Sequence, residues 1–483
     1  MTPSRFALAL VILHSSFVIA SHAAPPGFDS LFPAGGQIGT RVEATVSGKG
    51  LEKGTFLAWS SDSHVVVLGG DKPKSFFLNI AKDAVPGPCL IRLYNETDAS
   101  PPRIMEVGKL EEVLEQEPND TVAEAKPSAA RMNVTLNGVL AKGTDVDTHA
   151  IRVQKGKRIT LDLHGYALGS PMDPAMRLLD EHGIELAAGH DTNNLDPCIE
   201  YIPTADGTLF VQIFAFAHPP AADVNFKASA AHVYRLKVTD ESKPARVMNE
   251  PKTLMLPATV NGCISTAAEA DAYSYTAKKG DDLQIRVRAQ SLRSPLDGTL
   301  RIEDSAGKSL QQADDADNLD PVLRWKAPKD GDYKLIVADR FQHGGADYVY
   351  ELTVQPFVPS VVATLDTHAY HLEAGKTVEV KLTVKMSGTF AGKIKAQAVQ
   401  LPAGVTCESI EVPVKGGEVK LTLKAAADVA ANQAPFAVEI VTSVPDAVGT
   451  VMASYAVPFV EPRGDLLIMT DTHPWLTVVA KKP

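Results

Sequence analysis

Apolar and polar residues alternate with a period of two along most of the chain, as strands buried on one face require. Arg158 to Leu163 (RITLDL) and Leu283 to Val287 (LQIRV) show it, as do Leu209 to Ile213, Tyr333 to Val337, Val233 to Val238 and Val349 to Val354. Similar runs at Thr40 to Val46, Leu90 to Tyr94, Val378 to Val384 and Val419 to Leu423 carry the pattern towards both ends. Trp475 to Val479 reads as a terminal strand or as part of a tail. Asp-Gly, Asn-Gly and Gly-Lys pairs separate the runs at the spacing of a sandwich. Helical spacing is nearly absent: Glu111 to Glu115 and Ala123 to Ala130 offer a single turn at most. The pattern predicts an all-β chain of tandem β-sandwich domains, immunoglobulin-like or jelly-roll-like.

Part of the chain repeats. Ser170-Pro171-Met172-Asp173 matches Ser294-Pro295-Leu296-Asp297, and Asn194-Leu195-Asp196-Pro197 matches Asn318-Leu319-Asp320-Pro321, both 124 positions on. Asn137-Gly138, Lys155-Gly156 and Asp206-Gly207 recur at the same offset, but Tyr234-Arg235-Leu236 meets Tyr350-Glu351-Leu352 at 116. The first copy therefore carries about eight extra residues around Ala221 to Ala230, an insertion that a loop absorbs at little cost. The division that follows is 24–110, a first copy over 111–242, a second over 243–357, a further sandwich over 358–463, and a tail or terminal strand over 464–483.

A chain of 483 residues is too long for one core, in line with this division. The formal charge of -11, without a long run of Lys or Arg, argues against nucleic acid or an anionic membrane as partner and permits cations as ligands. Residues 1–23 read as a secretory signal peptide: Arg5, the apolar stretch Phe6 to Ala20, then Ser21-His22-Ala23 as cleavage site. No later segment is apolar enough to span a bilayer, so the mature protein is expected outside the cytoplasm, extracellular, at the cell surface or periplasmic. Cys89, Cys198, Cys263 and Cys407 match no zinc spacing. Cys198 and Cys263 stand opposite Val322 and Val139 of the other copy, which assigns them as small buried hydrophobes.

One acidic cluster carries candidate chemistry. On an extended segment Glu115, Glu117 and Asn119 point to one side, with Asp120 directly after; Asp145 and Asp147 repeat the i, i+2 spacing on a second segment. If the two cross, five carboxylates and an amide converge, and a divalent cation would relieve their repulsion. The alternative is a solvated acidic linker between domains. In the second copy the linker reads Met248-Asn249-Glu250-Pro251-Lys252-Thr253, with Lys252 placed where Asn119 stands, while Glu269 and Asp271 align with Asp145 and Asp147. No cation site, or a weak one, is expected there. Asp191-x-Asn193-Asn194-x-Asp196 and its counterpart Asp315-x-Asp317-Asn318-x-Asp320 are read as loop caps.

These motifs, Glu115-x-Glu117-Pro118-Asn119-Asp120, Asn137-Gly138, Asp145-Val146-Asp147, Ser170-Pro171-x-Asp173 and the closing Tyr-x-Leu strand, resemble the bacterial pre-peptidase C-terminal domain, over about 115–240 and 245–356. That family includes the collagen-binding domain of bacterial collagenases. The resemblance implies a secreted β-sandwich whose linker and aspartate pair, here Glu115, Glu117, Asn119, Asp120, Asp145 and Asp147, bind Ca2+. Residues 24–110 resemble an IPT/TIG-type immunoglobulin-like domain. Residues 358–463 resemble a bacterial Ig-like domain, on Leu401-Pro402-Ala403-Gly404-Val405.

Neither a nucleophile elbow nor a His-Glu-x-x-His motif nor a phosphate-cradling glycine loop occurs. The histidines are dispersed; His164 and His182 stand opposite Arg288 and Ala306, as surface or packing residues do. The expectation is a non-enzymatic, calcium-stabilised adhesion or scaffold protein that recognises an extracellular protein or polysaccharide. The alternative is an accessory component or degenerate relative of a secreted hydrolase.

Overall fold

The structure, a computed structural model, describes residues 25–52, 56–125, 131–192, 195–217, 225–240, 248–292, 294–315, 320–390, 392–442, 449–457 and 469–480. The expected leader lies outside them. Among the described residues there is no α-helix, only the 3-10 turns Tyr166–Leu168 and Gln290–Leu292. No helix among them is long and apolar enough to cross a membrane. The chain is all-β, and the alternation explains why. In the strand Gly331–Asp339, Tyr333, Leu335 and Val337 are at most 1% exposed while Lys334 between them faces solvent. A strand sends successive side chains to opposite faces, so a period of two buries one face and wets the other.

In the first copy one sheet runs Cys198–Tyr201, Ile159–His164, Val233–Thr239, Val134–Val139, Glu111–Leu114. The other runs Asp147–Val153, Gly207–Ala217, Met172–Leu179, Glu185–Gly189. Leu161, Leu163, Met176, Leu178, Val211 and Ile213 form the core between them. The second copy has the same order in Val322–Lys326, Asp282–Arg288, Val349–Pro356, Ala258–Cys263 and in Ala270–Ala277, Gly331–Asp339, Gly298–Asp304, Ser309–Ala313. None of the four cysteines forms a disulfide; Cys263 is buried as a small hydrophobe would be, whereas Cys198 is only half-buried.

Two elements differ from the sequence reading or resolve it. Glu111–Leu114, where the spacing offered a helical turn, is a strand parallel to Val134–Val139. It covers what would otherwise be an open sheet edge. Trp475–Val479 is a central strand, flanked by Ala369–Glu373 in parallel and Asn432–Pro435 in antiparallel register.

The extra strand is held by a buried ion cluster between the first sandwich and the first copy. Arg235, 0% exposed, donates to Glu112 at 2.8 Å and lies 3.5 Å from Glu106. Glu106 also accepts from Lys237 at 2.6 Å and meets His164 Nδ1 at 3.0 Å. His164 Nε2 meets Asp162 at 3.2 Å. Burial alone would lower the His164 pKa, but its hydrogen bonds to Asp162 and Glu106 outweigh that and push it up to about 9. His164 is thus neither a surface residue nor a packing residue but a charged member of this joint. Gly35 lies against the same guanidinium: a Cβ there would sit 2.4 Å from the Glu106 carbonyl oxygen.

The first and last sandwiches also meet. Wholly buried Arg92 donates to the Tyr455 hydroxyl at 2.8 Å, and that hydroxyl donates to Asp471 at 2.5 Å. Trp59 and Tyr94 pack on Trp475 beside them.

Candidate metal centre

The acidic linker follows directly on the strand Glu111–Leu114. Pairing continues for one residue, the Glu115 N–H donating to the Asn137 carbonyl at 2.9 Å, and the chain then bends through a cis Glu117–Pro118 bond. The second segment is a turn over Lys142 to Asp145, with Thr144 at φ 69°, running into the strand Asp147–Val153. Backbone bonds lace the two together: the Thr148 N–H donates to the Asn119 carbonyl at 2.8 Å, and the Thr148 hydroxyl to the Asp120 carbonyl at 3.3 Å. The segments do meet, although a bend and a turn bring them together rather than two extended runs.

Glu117, Asp145 and Asp147 each offer an oxygen within 4.8 Å of the others. Asp145 and Asp147 are 1% and 0% exposed, and Asn119 beside them is 3% exposed. Each acid spends oxygen on holding the loop. Asp145 Oδ2 accepts the Ala141 and Lys142 N–H groups at 2.5 and 3.3 Å, Glu117 Oε2 the Asn119 N–H at 3.1 Å, and Asp147 Oδ2 the Tyr234 hydroxyl at 2.6 Å. Left buried without any hydrogen-bond partner are Asp145 Oδ1, Asp147 Oδ1 and both side-chain amide atoms of Asn119. Such atoms are costly unless something compensates them. The donors are oxygens alone, the set that hard divalent cations take.

Glu117 is the exposed member of this group, and the remaining expected residues, Glu115 and Asp120, lie outside it. Glu115 lies beside Asp147 beneath Tyr234, its Oε1 occupied by the Val139 N–H at 2.9 Å. Asp120 is exposed, and its charge is felt at Glu117. Burial pushes Asp147 well above the usual carboxylate range and the Glu115 charge adds to the shift; burial raises Glu115 as well. Desolvation and then the charge of Asp145 raise Glu117. Buried carboxylates that resist ionisation together are groups on which a cation acts strongly.

Sequence reasoning missed Tyr234 and His149. The Tyr234 hydroxyl gives its proton to Asp147, so His149 Nε2, 2.7 Å away, is the donor to the same oxygen. Burial lowers the His149 pKa to about 4, so the ring is neutral at pH 7. The one signal in the sequence was the closing Tyr-x-Leu, present in both copies.

The second copy keeps much of this frame. Tyr350 donates to Asp271 at 2.5 Å, and Tyr273 stands in the place of His149, 2.5 Å from the Tyr350 hydroxyl. Glu269 accepts the Thr266 N–H as Asp145 accepts that of Lys142. Glu250 accepts the Cys263 N–H at 2.8 Å, as Glu115 accepts that of Val139. Glu250 therefore answers to Glu115, not to Glu117 as the linear alignment had it. The backbone of Asn249 takes the pairing place of Glu115, shifting the linker by one residue. Asp196 and Asp320 are caps: Asp196 accepts the Gly165, Tyr166 and Ala167 N–H groups, and Asp320 those of Ala289 and Gln290. Asn193, Asn194, Asp317 and Asn318 of these loops lie outside the described residues.

No family model matches the chain. A probable subtilase-type serine protease of Deinococcus radiodurans is 37% identical over 98 residues, which are 20% of this chain and only 14% of that protein. Among solved structures, the pre-peptidase C-terminal domain of a Bacillus anthracis collagenase is similar at 20% identity and TM-score 0.18, covering 22% of this chain and 99% of that one. A glucan-utilisation-locus protein of Bacteroides ovatus, solved with a mixed-linkage heptasaccharide, is similar at 10% identity and TM-score 0.16, covering 69% of this chain and 75% of that one. What the chain's own strands show is an all-β protein of sandwich modules.

Proposed function

We propose that this chain is an exported, non-catalytic binding or scaffold protein in which Ca2+ orders the segment leading into the first copy. The observation that carries the reading is the group Glu117, Asp145 and Asp147 with the buried, unpartnered amide of Asn119. These four would hold the ion, which supplies the positive charge that their clustering lacks. Glu115, Tyr234 and His149 orient Asp147 from behind, and Arg235 fixes Glu112 on the strand that delivers the linker. The second copy has no counterpart of Glu117 and Asn119 and on this reading binds calcium weakly or not at all. The partner is an extracellular protein or polysaccharide. A second reading, an accessory or degenerate relative of a secreted peptidase, is favoured by the 98-residue stretch shared with the subtilase-type protein; a hydrolase screen on the purified chain tests it.

Calorimetric titration of the mature protein with Ca2+, beside a Glu115→Ala/Asp145→Ala variant, tests the metal. One tight site, lost in the variant, is expected. Equal heats from both, or none from either, would overturn the assignment.

A further inference from the structure

The end of the first copy opposite the metal centre carries a cleft of about 870 Å3, within the roughly 300–1,000 Å3 range of ligand sites. Asp147 opens the strand Asp147–Val153 and the cleft lies at its far end, roughly 20 Å away at the rise of a β-strand. Arg131, Arg152, Lys155 and Lys157 line it, all exposed. Arg131 lies 3.4 Å from Glu111, while Arg152, Lys155 and Lys157 have no ion pair among the described residues. Of the two acids at the cleft, Asp206 is engaged, accepting the Lys155 N–H at 2.7 Å. A concentration of positive charge is the exception in a chain whose formal charge is -11.

The second copy shows that the fold does not require the charges of Arg152 and Lys157, although it keeps Lys155 as Lys279. Its backbone is in the same register: Thr276 pairs with Asp332 as Arg152 pairs with Thr208. The Lys279 N–H donates to Asp330 at 2.7 Å, as that of Lys155 does to Asp206. On that frame Arg152 becomes Thr276, Lys157 becomes Asp281 and Thr208 becomes Asp332. Gln154 becomes Lys278 and Lys155 stays lysine, so the corresponding surface of the second copy mixes two lysines with Asp281, Asp330 and Asp332 on the same scaffold.

We propose that this cleft binds an anionic polysaccharide, with Arg152, Lys155 and Lys157 meeting its carboxylate or sulfate groups. Gln154 and Thr208 add an amide and a hydroxyl suited to sugar hydroxyls. Val153 and Ile159 are buried in the core, so Met132 is the one apolar side chain of the lining left to a ligand. An acidic peptide would find almost nothing for its apolar side chains. The surrounding negative charge disfavours a long nucleic acid running beyond the cleft.

The test is calorimetry of the full mature chain in calcium-free buffer with polygalacturonate, heparin, dextran and polyglutamate, at low and high ionic strength. Its partner is the variant Arg152→Thr/Lys157→Asp, which carries the second copy's residues on a frame known to accept them. Binding of polygalacturonate or heparin but not dextran is expected, weakened about tenfold or more by the variant and by salt. The variant's melting temperature and calcium titration are expected to match the parent's, which separates this site from the metal centre. Absence of polyanion binding, equal binding of dextran, an unchanged affinity in the variant, or tighter binding of polyglutamate than of either polysaccharide would overturn the proposal.

Discussion

Asn119 offers the sharpest test of the metal centre, because its removal should move two quantities in opposite directions. Its side chain is 3% exposed and neither amide atom has a partner, while its backbone is fully used, accepting from Thr148 at 2.8 Å and donating to Glu117 at 3.1 Å. Asn119→Ala leaves both backbone bonds in place. In the metal-free chain it removes a buried amide whose lost hydration costs about 1–3 kcal/mol. Against this stands the small cavity it leaves, worth about 1 kcal/mol. The variant in EDTA should therefore be as stable as the parent or more so, by up to about 2 kcal/mol, the difference of those two figures. Saturating calcium should do the reverse. An ion present at a hundred times its dissociation constant stabilises by about 2.7 kcal/mol, and a variant that binds tenfold more weakly forfeits about 1.4 kcal/mol of it. Differential scanning calorimetry in EDTA and in calcium, with titration calorimetry for the affinity, reads both effects. If Asn119→Ala destabilises the chain in EDTA and leaves the calcium affinity untouched, Asn119 serves the fold and not an ion.

Two further outcomes concern the joint that delivers the linker. His164 has its pKa raised to about 9 by its two carboxylates, against an ordinary 6.5. A base raised in the folded state contributes stability that is fully present below pH 6.5 and lost as pH rises through 9. Urea denaturation should show a loss of about 3 kcal/mol over that window, absent from His164→Gln; parallel curves for the two proteins would refute it. Gly35→Ala, with its Cβ 2.4 Å from the Glu106 carbonyl oxygen, should cost about 1–3 kcal/mol of stability in the same assay, and an unchanged midpoint would show that the joint is looser than described.

Much of this molecule was legible before any coordinates. The strands at Ile159–His164, Gly207–Ala217, Val233–Thr239 and their counterparts fall where the alternation placed them, because side-chain direction in a strand is a local property. The acidic cluster was legible too, since Glu117, Asn119, Asp145 and Asp147 are close in sequence and few in type. Glu111–Leu114 was not. Its four residues carry no decisive period, and their conformation comes from an unsatisfied sheet edge and from Arg235, which lies more than a hundred positions away.

What the sequence by itself determined was the class of fold, which follows from local periodicity; it also carries the self-similarity of the two stretches and the acids themselves, as residues in a linear order. Only the tertiary structure decided which oxygens remain without partners, that Tyr234 and His149 back the cluster, that Glu250 answers to Glu115, and that His164 belongs to a buried ion pair. The physical reason is the same in each case. Whether a polar atom is satisfied depends on every neighbour within about 3.5 Å, and those neighbours are gathered from segments that a linear pattern cannot bring together.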